Sequence, residues 1–195
     1  MQYIAASGDL APAVDCLRQG GILCYPTETF YALGVHPSNE DALRRLRELK
    51  RRPDEKDLPL IAGSMEIVRS FCRTDDPRLA ALASRFWPGP LTIVLPALHP
   101  GLSSYAIRVS SHPVARALSL ALGAPIVSTS ANESGSPPVT LPALLPDSIR
   151  SGVDVVVDDG AVPGGLPSTI VSLLTTPAQI LRMGAVPAED LSSLL

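Results

Sequence analysis

The chain has 195 residues, of which 46% are hydrophobic, and it carries a formal net charge of -3. A chain of this length and apolar content can bury the core of one domain, so we expect a single domain over residues 1–195. The negative charge argues against tight non-specific binding to nucleic acids, because that affinity comes from many Lys and Arg side chains.

The sequence also lacks the signals of membrane insertion and export. No stretch approaches the roughly 20 apolar residues that span a bilayer, and the amino terminus has no basic segment followed by an apolar one. Cys16, Cys24 and Cys72 are odd in number and lack a CxxC or Cys/His ligand spacing. We therefore expect a cytoplasmic protein with reduced thiols and no membrane association.

The first predicted elements are a helix, a strand and a second helix. Residues 12–19 form a helical pattern closed by two glycines, and the apolar run 22–25 predicts a buried strand. Ser38, with Asp41 three positions later, is a capping signal for a helix that reaches Lys50.

The middle of the chain continues the alternation of strands and helices. Residues 58–62 predict a strand, Asp76 before Pro77 opens a helix, and another strand begins at Leu91. Strand 106–109, a helix over 113–122 and strand 125–130 would form a βαβ unit, and three later strands follow. The pattern predicts an α/β fold with a twisted, open, mixed sheet covered by helices.

The common nucleotide-binding and hydrolase motifs are missing. The sequence has no GxxxxGK[ST], GxGxxG, GxSxG or HExxH segment. His36, His99 and His112 are each followed by proline, and none has a second ligand at metal spacing, so we expect structural roles and no protein-bound metal.

Two polar segments are candidates for ligand binding. Lys50, Arg51 and Arg52 end a helix, where they are either a solvated basic end or a clamp for phosphate and carboxylate groups. The segment STSANESG at 128–135 directly follows a buried strand, where open α/β sheets bind ligands. Its hydroxyls and amide could also serve only the turn, and we favour binding.

Other polar residues lie in similar positions. YPTETF at 25–30 places Thr and Glu side chains after another buried strand, in a binding or a turn-forming role. Arg108 and Arg182 lie among aliphatic residues, which indicates pairing with an anion such as a substrate carboxylate or phosphate. Trp87 lies beside prolines and a glycine, and we expect it to fill core space in a rigid turn.

Seven segments in this order resemble the YrdC/TsaC family of threonylcarbamoyl-AMP synthases, in its short form without an additional carboxyl-terminal domain. They are YPTETFYALG, LKRRP, WPGPLT, AIRV, STSANESG, PSTIV and ILRMG, and the resemblance runs from about residue 20 to residue 184. It implies a YrdC-like fold with a concave basic cavity. It also implies condensation of L-threonine, bicarbonate and ATP, with magnesium accompanying ATP, into threonylcarbamoyl-AMP and pyrophosphate. The product would serve tRNA modification, reaching tRNA indirectly through threonylcarbamoyl-transferase proteins.

The resemblance also implies roles for individual residues. The residues matching the catalytic and ATP-binding centre are Lys50, Arg52, Ser130 and Asn132, with Arg182 as a further ATP contact. The residues matching the threonine site are Thr29, Arg108, Ser128 and Ser168, with Arg108 facing the carboxylate. Adenylate formation needs an oxyanion in line with the α-phosphate and stabilisation of leaving pyrophosphate, and it requires no covalent enzyme nucleophile.

Departures from the family pattern leave other readings open. Ala32 stands where the family commonly has Gly, Pro138 stands where some relatives have Ser, and the segment KRRPDEKDLPL suggests an extra residue before its strand. These put Lys56 and the loop after Asn132 in doubt as ligand contacts. The alternatives are an RNA-binding or ribosome-maturation module, or a nucleotide-binding paralogue without synthase activity. The acidic total charge and retention of both K-x-R and STSAN favour the synthase.

Overall fold

The computed structural model describes residues 1–51, 58–192 and 194–195, and helices alternate with short strands along them. The helices are α1 Ala11–Arg18, α2 Glu40–Leu49, α3 Met65–Phe71, α4 Pro77–Phe86, α5 Pro113–Leu122, α6 Asp147–Arg150 and α7 Ala188–Leu191, with a 3-10 turn at Pro142–Leu144. The strands are β1 Gln2–Ala5, β2 Leu23–Tyr25, β3 Ala32–Gly34, β4 Leu60–Ala62, β5 Leu91–Pro96, β6 Ser104–Val109, β7 Ile126–Val127, β8 Thr129–Ser130, β9 Val155–Asp158, β10 Thr169–Ser172 and β11 Gln179–Arg182.

The described strands form two mixed sheets. The first has the order β1-β9-β2-β3-β8, with β1 and β2 parallel to β9 and the other pairs antiparallel. The second has the order β11-β10-β5-β6-β4-β7, with β10 parallel to β5, β4 parallel to β6 and the remaining pairs antiparallel. The mixed α/β class is confirmed, with the strands divided between two sheets where the sequence suggested one.

The segment 125–130, predicted as a single strand, changes sheets at Ser128. β7 pairs with β4 in the second sheet, and β8 pairs with β3 in the first. The Ser128 amide donates to the Pro59 carbonyl oxygen at 2.7 Å. The predicted βαβ unit is also wrong, because β6 is parallel to β4 while β7 is antiparallel to the same strand. The change of sheet brings the following polar segment to the junction between the sheets.

Strand β2 shows how the two parts of the core are separated. Leu23 and Tyr25 pack into a cluster with residues of α1 and α5, whereas Cys24 between them belongs to the larger cluster. Side chains of a strand point alternately to opposite faces, and this strand is therefore buried on both. Burial raises the pKa of Cys24 and of Cys72 to about 12, so both thiols stay protonated at neutral pH. The three cysteines are free, as the sequence predicted.

The helix ends confirm some capping signals and correct one. Helix α4 begins at Pro77 with the Asp76 side chain accepting from the Arg78 amide, as predicted. Helix α2 is capped by Asn39, whose Oδ1 accepts from the Ala42 amide at 2.9 Å, and not by Ser38. Ser38 and Asn39 both have polar side chains, and the turn before the helix brings the side chain of Asn39 to the Ala42 amide.

None of the helices in the described residues is long and apolar enough to cross a membrane.

The Trp87 indole packs against the large core cluster, and its Nε1 donates to the Leu91 carbonyl oxygen at 2.6 Å. This agrees with the space-filling role expected for Trp87 beside its turn.

Loss of the Asn39 cap tests this local structure. We expect Asn39→Ala to lower the free energy of unfolding by about 1 kcal/mol, because the Ala42 amide loses its acceptor. Urea unfolding followed by circular dichroism measures the change. Ser38→Ala, which alters the exposed neighbour, is the matched control and should stay within about 0.5 kcal/mol of the parent chain. Equal losses from both substitutions would contradict the assignment of the cap.

Candidate active site at the junction of the two sheets

A cavity of about 690 Å³ opens where the two sheets meet, and residues from both sheets line it. Six of the nine predicted site residues lie on its wall: Thr29, Arg108, Ser128, Ser130, Ser168 and Arg182. They come from segments that are far apart in the sequence, and the change of sheet at Ser128 brings them together. The cavity is therefore the candidate active site.

Lys50 joins the end of α2 to the segment after β8. Its side chain is buried, and Nζ donates to the carbonyl oxygens of Ser130 and Asn132 at 2.5 and 2.6 Å and to Asn132 Oδ1 at 2.9 Å. The Ser134 hydroxyl donates back to the Lys50 carbonyl oxygen at 2.6 Å. A buried ammonium group is stable only when such oxygens replace its water, so Lys50 holds this segment in place.

Ser130 and Asn132 are also linked to each other. Ser130 Oγ donates to Asn132 Oδ1 at 2.5 Å, and Asn132 Nδ2 donates to the Ser136 carbonyl oxygen. Ser130 lies on the cavity wall, whereas Lys50 and Asn132 do not line the cavity and are buried next to Ser130. The structure thus brings three of the four predicted catalytic residues together. The fourth, Arg52, lies outside the described residues, as does Lys56.

Arg182 lies at the end of β11, beside Ser168, which directly precedes β10. Its Nε and one terminal nitrogen donate to the Ser168 carbonyl oxygen at 3.1 and 2.8 Å, and the same terminal nitrogen contacts Ser168 Oγ at 3.1 Å. Ser168 Oγ also lies 2.9 Å from Thr92 Oγ1. A guanidinium group held at one edge keeps its orientation, which suits recognition of an anionic group.

The loop after β2 is ordered by its own threonines. Thr27 Oγ1 donates to the Phe30 carbonyl oxygen at 2.7 Å and accepts from the Phe30 amide at 3.3 Å. Thr29 Oγ1 lies 3.3 Å from Thr27 Oγ1, and both residues line the cavity. The turn-forming role considered for this loop and its place in the candidate site are therefore compatible.

Arg108 forms an ion pair between the sheets. Its Nε donates to Glu28 Oε1 at 2.8 Å, and Ser110 Oγ donates to Glu28 Oε2 at 2.5 Å. Burial alone would raise the pKa of Glu28, but the Arg108 charge and the hydrogen bond from Ser110 outweigh burial and hold this pKa below its usual value. Glu28 is therefore ionised at neutral pH, and the pair is a true ion pair.

Ser110 and Thr92 were missed when candidate residues were chosen from the sequence, and Glu28 was noted there only as part of the loop at 25–30. Glu28 holds Arg108, Thr92 contacts Ser168, and Ser110 acts one step further away by holding Glu28. Ser110 follows Arg108 by two positions, so the alternation of a strand places both on one face, and this signal could have identified it. The partner of Glu28 lies 80 residues away in the sequence, and no local pattern points to it.

Among the described residues on the cavity wall, those with charged side chains are Arg108 and Arg182. Because the Glu28 carboxylate neutralises the Arg108 charge at 2.8 Å, the two arginines do not by themselves determine the sign of the electrostatic potential in the cavity. The basic cavity stays a prediction.

A second, shallower cavity of about 460 Å³ lies elsewhere on the surface. Its wall is formed by Arg18, His36, Ser38, Asn39, Glu40 and Asp41. It includes none of the predicted site residues and mixes acidic with basic side chains. Partial burial lowers the pKa of His36, which keeps that imidazole neutral at pH 7. We therefore assign the ligand site to the larger cavity.

Comparison with known sequences agrees with this arrangement. A model of the Sua5/YciO/YrdC family, described as telomere recombination, matches residues 15–184. The threonylcarbamoyl-AMP synthase of Xanthomonas euvesicatoria is 44% identical over 164 residues, which cover 77% of this chain and 85% of that protein. The threonylcarbamoyl-AMP synthase of Coxiella burnetii is 35% identical over 178 residues, covering 88% and 95% of the two chains.

Solved structures show the same fold. Pyrococcus abyssi Sua5 complexed with L-threonine superposes with a TM-score of 0.91 at 30% identity, covering 100% of this chain and 60% of that one. E. coli YciO superposes with a TM-score of 0.84 at 26% identity, covering 96% and 97%. The present chain therefore spans about 60% of the length of the P. abyssi protein and nearly all of YciO.

The buried ion pair makes stability depend on pH. A carboxyl group whose pKa is lower in the folded protein than in the unfolded chain stabilises the fold above the unfolded value, near 4.5 for Glu28, and this contribution is lost as the pH falls below it. We expect the deficit in unfolding free energy of Glu28→Gln, relative to the parent chain, to be larger at pH 7 than at pH 3.5. Urea unfolding at both pH values measures it.

The control for this experiment is an exposed ion pair. Glu48 lies 3.9 Å from Arg44 on the surface of α2, and such pairs contribute little. The deficit of Glu48→Gln should be small and nearly the same at both pH values. A Glu28→Gln deficit that does not shrink at low pH would contradict the described charge state of Glu28.

Proposed function

The chain belongs to the Sua5/YciO/YrdC family, and we propose that it is a threonylcarbamoyl-AMP synthase that condenses L-threonine, bicarbonate and ATP. The observation that carries this proposal is that one cavity gathers Arg108 and Thr29, assigned to threonine, with Arg182 and Ser130, assigned to the nucleotide. The names of the relatives and the L-threonine complex of the P. abyssi protein support the same reaction.

Arg108 is suited to bind the threonine carboxylate. A guanidinium group binds a carboxylate through two parallel hydrogen bonds, and burial strengthens these bonds by excluding water. Thr29, Ser128 and Ser168 supply neighbouring polar groups on the same wall. Together they would orient the threonine so that its amine points toward bicarbonate and the nucleotide.

Arg182 is suited to bind a phosphate, on the side of the cavity where Ser168 holds it. Lys50 acts in this proposal through Ser130 and Asn132, whose positions it fixes, and its positive charge lies directly behind them. A direct contact of Lys50 or Arg52 with ATP stays a prediction. Fixed positive charges of this kind stabilise the negative charge that develops on the leaving pyrophosphate.

The proposed reaction has two bond-forming steps. The threonine nitrogen attacks the carbon of bicarbonate, water leaves, and a carbamate forms. A carbamate oxygen then attacks the α-phosphorus, and the bond between that phosphorus and the pyrophosphate oxygen breaks. The contribution of the protein is to hold the reactants in line and to exclude water, since no enzyme nucleophile takes part.

Magnesium enters the proposal as part of the nucleotide substrate. Mg²⁺ binds substrate phosphates readily and keeps several of its water molecules. In the part of the chain that the structure describes, no group of three or more His, Cys, Asp or Glu side chains is placed to hold a metal ion. The nucleotide phosphates would therefore supply the main ligands.

The product would pass to separate transferase proteins for attachment to tRNA, which accords with the net charge of -3. The relatives do not favour the alternative of an RNA-binding module, because they are named as synthases.

Pyrophosphate release by the purified protein tests the function. With ATP and magnesium present, we expect release to require both L-threonine and bicarbonate and to fall sharply when L-serine replaces threonine. A coupled pyrophosphate assay measures the rate, and mass spectrometry identifies threonylcarbamoyl-AMP. The Arg182→Gln protein, purified identically, should lose about tenfold or more in kcat/KM, which would show that the activity belongs to this chain. Release that ignores threonine or bicarbonate would contradict the proposal.

A further inference from the structure

Arg108 reaches the cavity with one edge of its guanidinium group already occupied. The side chain is 7% exposed, and its hydrogen bond to the described part of the chain runs from Nε to Glu28 Oε1 at 2.8 Å. The end of the guanidinium group that carries the two terminal nitrogens is therefore the edge left to meet a ligand. That edge is the one whose parallel donors match a carboxylate.

Glu28 does not itself belong to the wall of the cavity. Its side chain is 10% exposed, and both carboxylate oxygens are engaged, one by Arg108 and one by Ser110. A direct bond from Glu28 to the ammonium group of an amino acid would have to displace one of these partners. The geometry thus separates Glu28 from the residues that touch the substrate.

The contact crosses from one sheet to the other. Glu28 lies on the loop after β2 in the first sheet, while Arg108 belongs to β6 in the second and Ser110 follows that strand directly. The Ser110 hydroxyl also accepts from the His112 amide at 3.1 Å, at the start of α5. Glu28 is therefore held from a strand end and a helix start, which are both rigid parts of the fold.

We propose that Glu28 is a positioning residue for Arg108 and that Ser110 fixes the Glu28 carboxylate in the orientation required. This inference rests on the proposed function, because the ligand of Arg108 is taken to be the carboxylate of L-threonine. The ion pair orders a long, flexible side chain before the substrate arrives, so less conformational entropy is lost on binding. Weakening the pair should therefore weaken threonine binding and leave the nucleotide side unaffected.

Two substitutions separate the charge from the geometry. Glu28→Gln keeps the size and one acceptor oxygen but removes the charge, and we expect KM for threonine to rise about tenfold. Ser110→Ala removes the second donor and leaves the charge, and we expect a rise of about fivefold. In both variants kcat and KM for ATP should stay within about twofold of the parent values, because Arg182 and the Lys50 cluster are untouched.

Ser111→Ala is the matched control, since it changes an exposed serine next to Ser110. It should leave every kinetic constant within about twofold. A merely structural role for Glu28 would lower kcat and raise both KM values together, and that result would overturn the proposal. A lower KM for threonine in Glu28→Gln would also overturn it, because it would mean that Glu28 competes with the substrate for Arg108.

A second readout does not depend on catalysis. In protein labelled with nitrogen-15, the Arg108 Nε–H signal should exchange slowly with water in the parent chain and in Ser111→Ala, and rapidly in Glu28→Gln and Ser110→Ala. Unchanged exchange in these two variants would refute the positioning role. If the parent chain showed slow exchange but no threonine-dependent pyrophosphate release, the proposed function would be wrong. The Glu28–Arg108 ion pair would still be supported.

Discussion

The buried ammonium group of Lys50 links the end of α2 to the segment that forms one wall of the cavity. Its three described oxygen partners belong to Ser130 and Asn132, on both sides of the point where that segment leaves β8. An unpaired buried charge would cost several kcal/mol, so these oxygens and the ammonium group hold one another in place. The position of Ser130 on the cavity wall depends on this contact.

The second condition for the site is the division of the strands between two sheets. The segment from β7 to β8 crosses from one sheet to the other at Ser128, and the Glu28–Arg108 ion pair makes a second connection between the two sheets. Six of the assigned residues consequently face one space, although they come from distant segments of the sequence: Thr29, Arg108, Ser128 and Ser168, assigned to threonine, and Ser130 and Arg182, assigned to the nucleotide. This closeness is what a condensation between an amino acid and a nucleotide requires.

The sequence correctly predicted the helices whose first residues are marked by a local signal such as a proline. Helices α4 and α5 both begin at a proline, which is favourable at a first helical position, and both were found as predicted. The segment 125–130 begins with apolar residues and continues with three hydroxyl residues, and no local signal in it specifies a change of sheet at Ser128. That change is set by pairing with β4 and β3, which lie far away in the sequence.

The candidate site shows the same contrast between features set by local sequence signals and features set by distant contacts. Ordered motifs identified residues that the structure brings to one cavity, because each motif places polar groups at the end of a strand or a helix. The contacts that hold those residues were not visible, since Glu28 meets Arg108 across 80 positions and Lys50 meets Ser130 across a similar distance. Strand β3 was also missed, because it follows the polar loop at 25–30 closely and is defined by its pairing with β2 and β8.

The most direct test of this account is a crystal structure of the protein with L-threonine and a non-hydrolysable ATP analogue. The account predicts that both ligands occupy the 690 Å³ cavity, with the threonine carboxylate on the terminal nitrogens of Arg108 and a phosphate beside Arg182. Ligands bound instead in the shallower cavity beside Arg18 and His36, or a threonine turned away from Arg108, would contradict it.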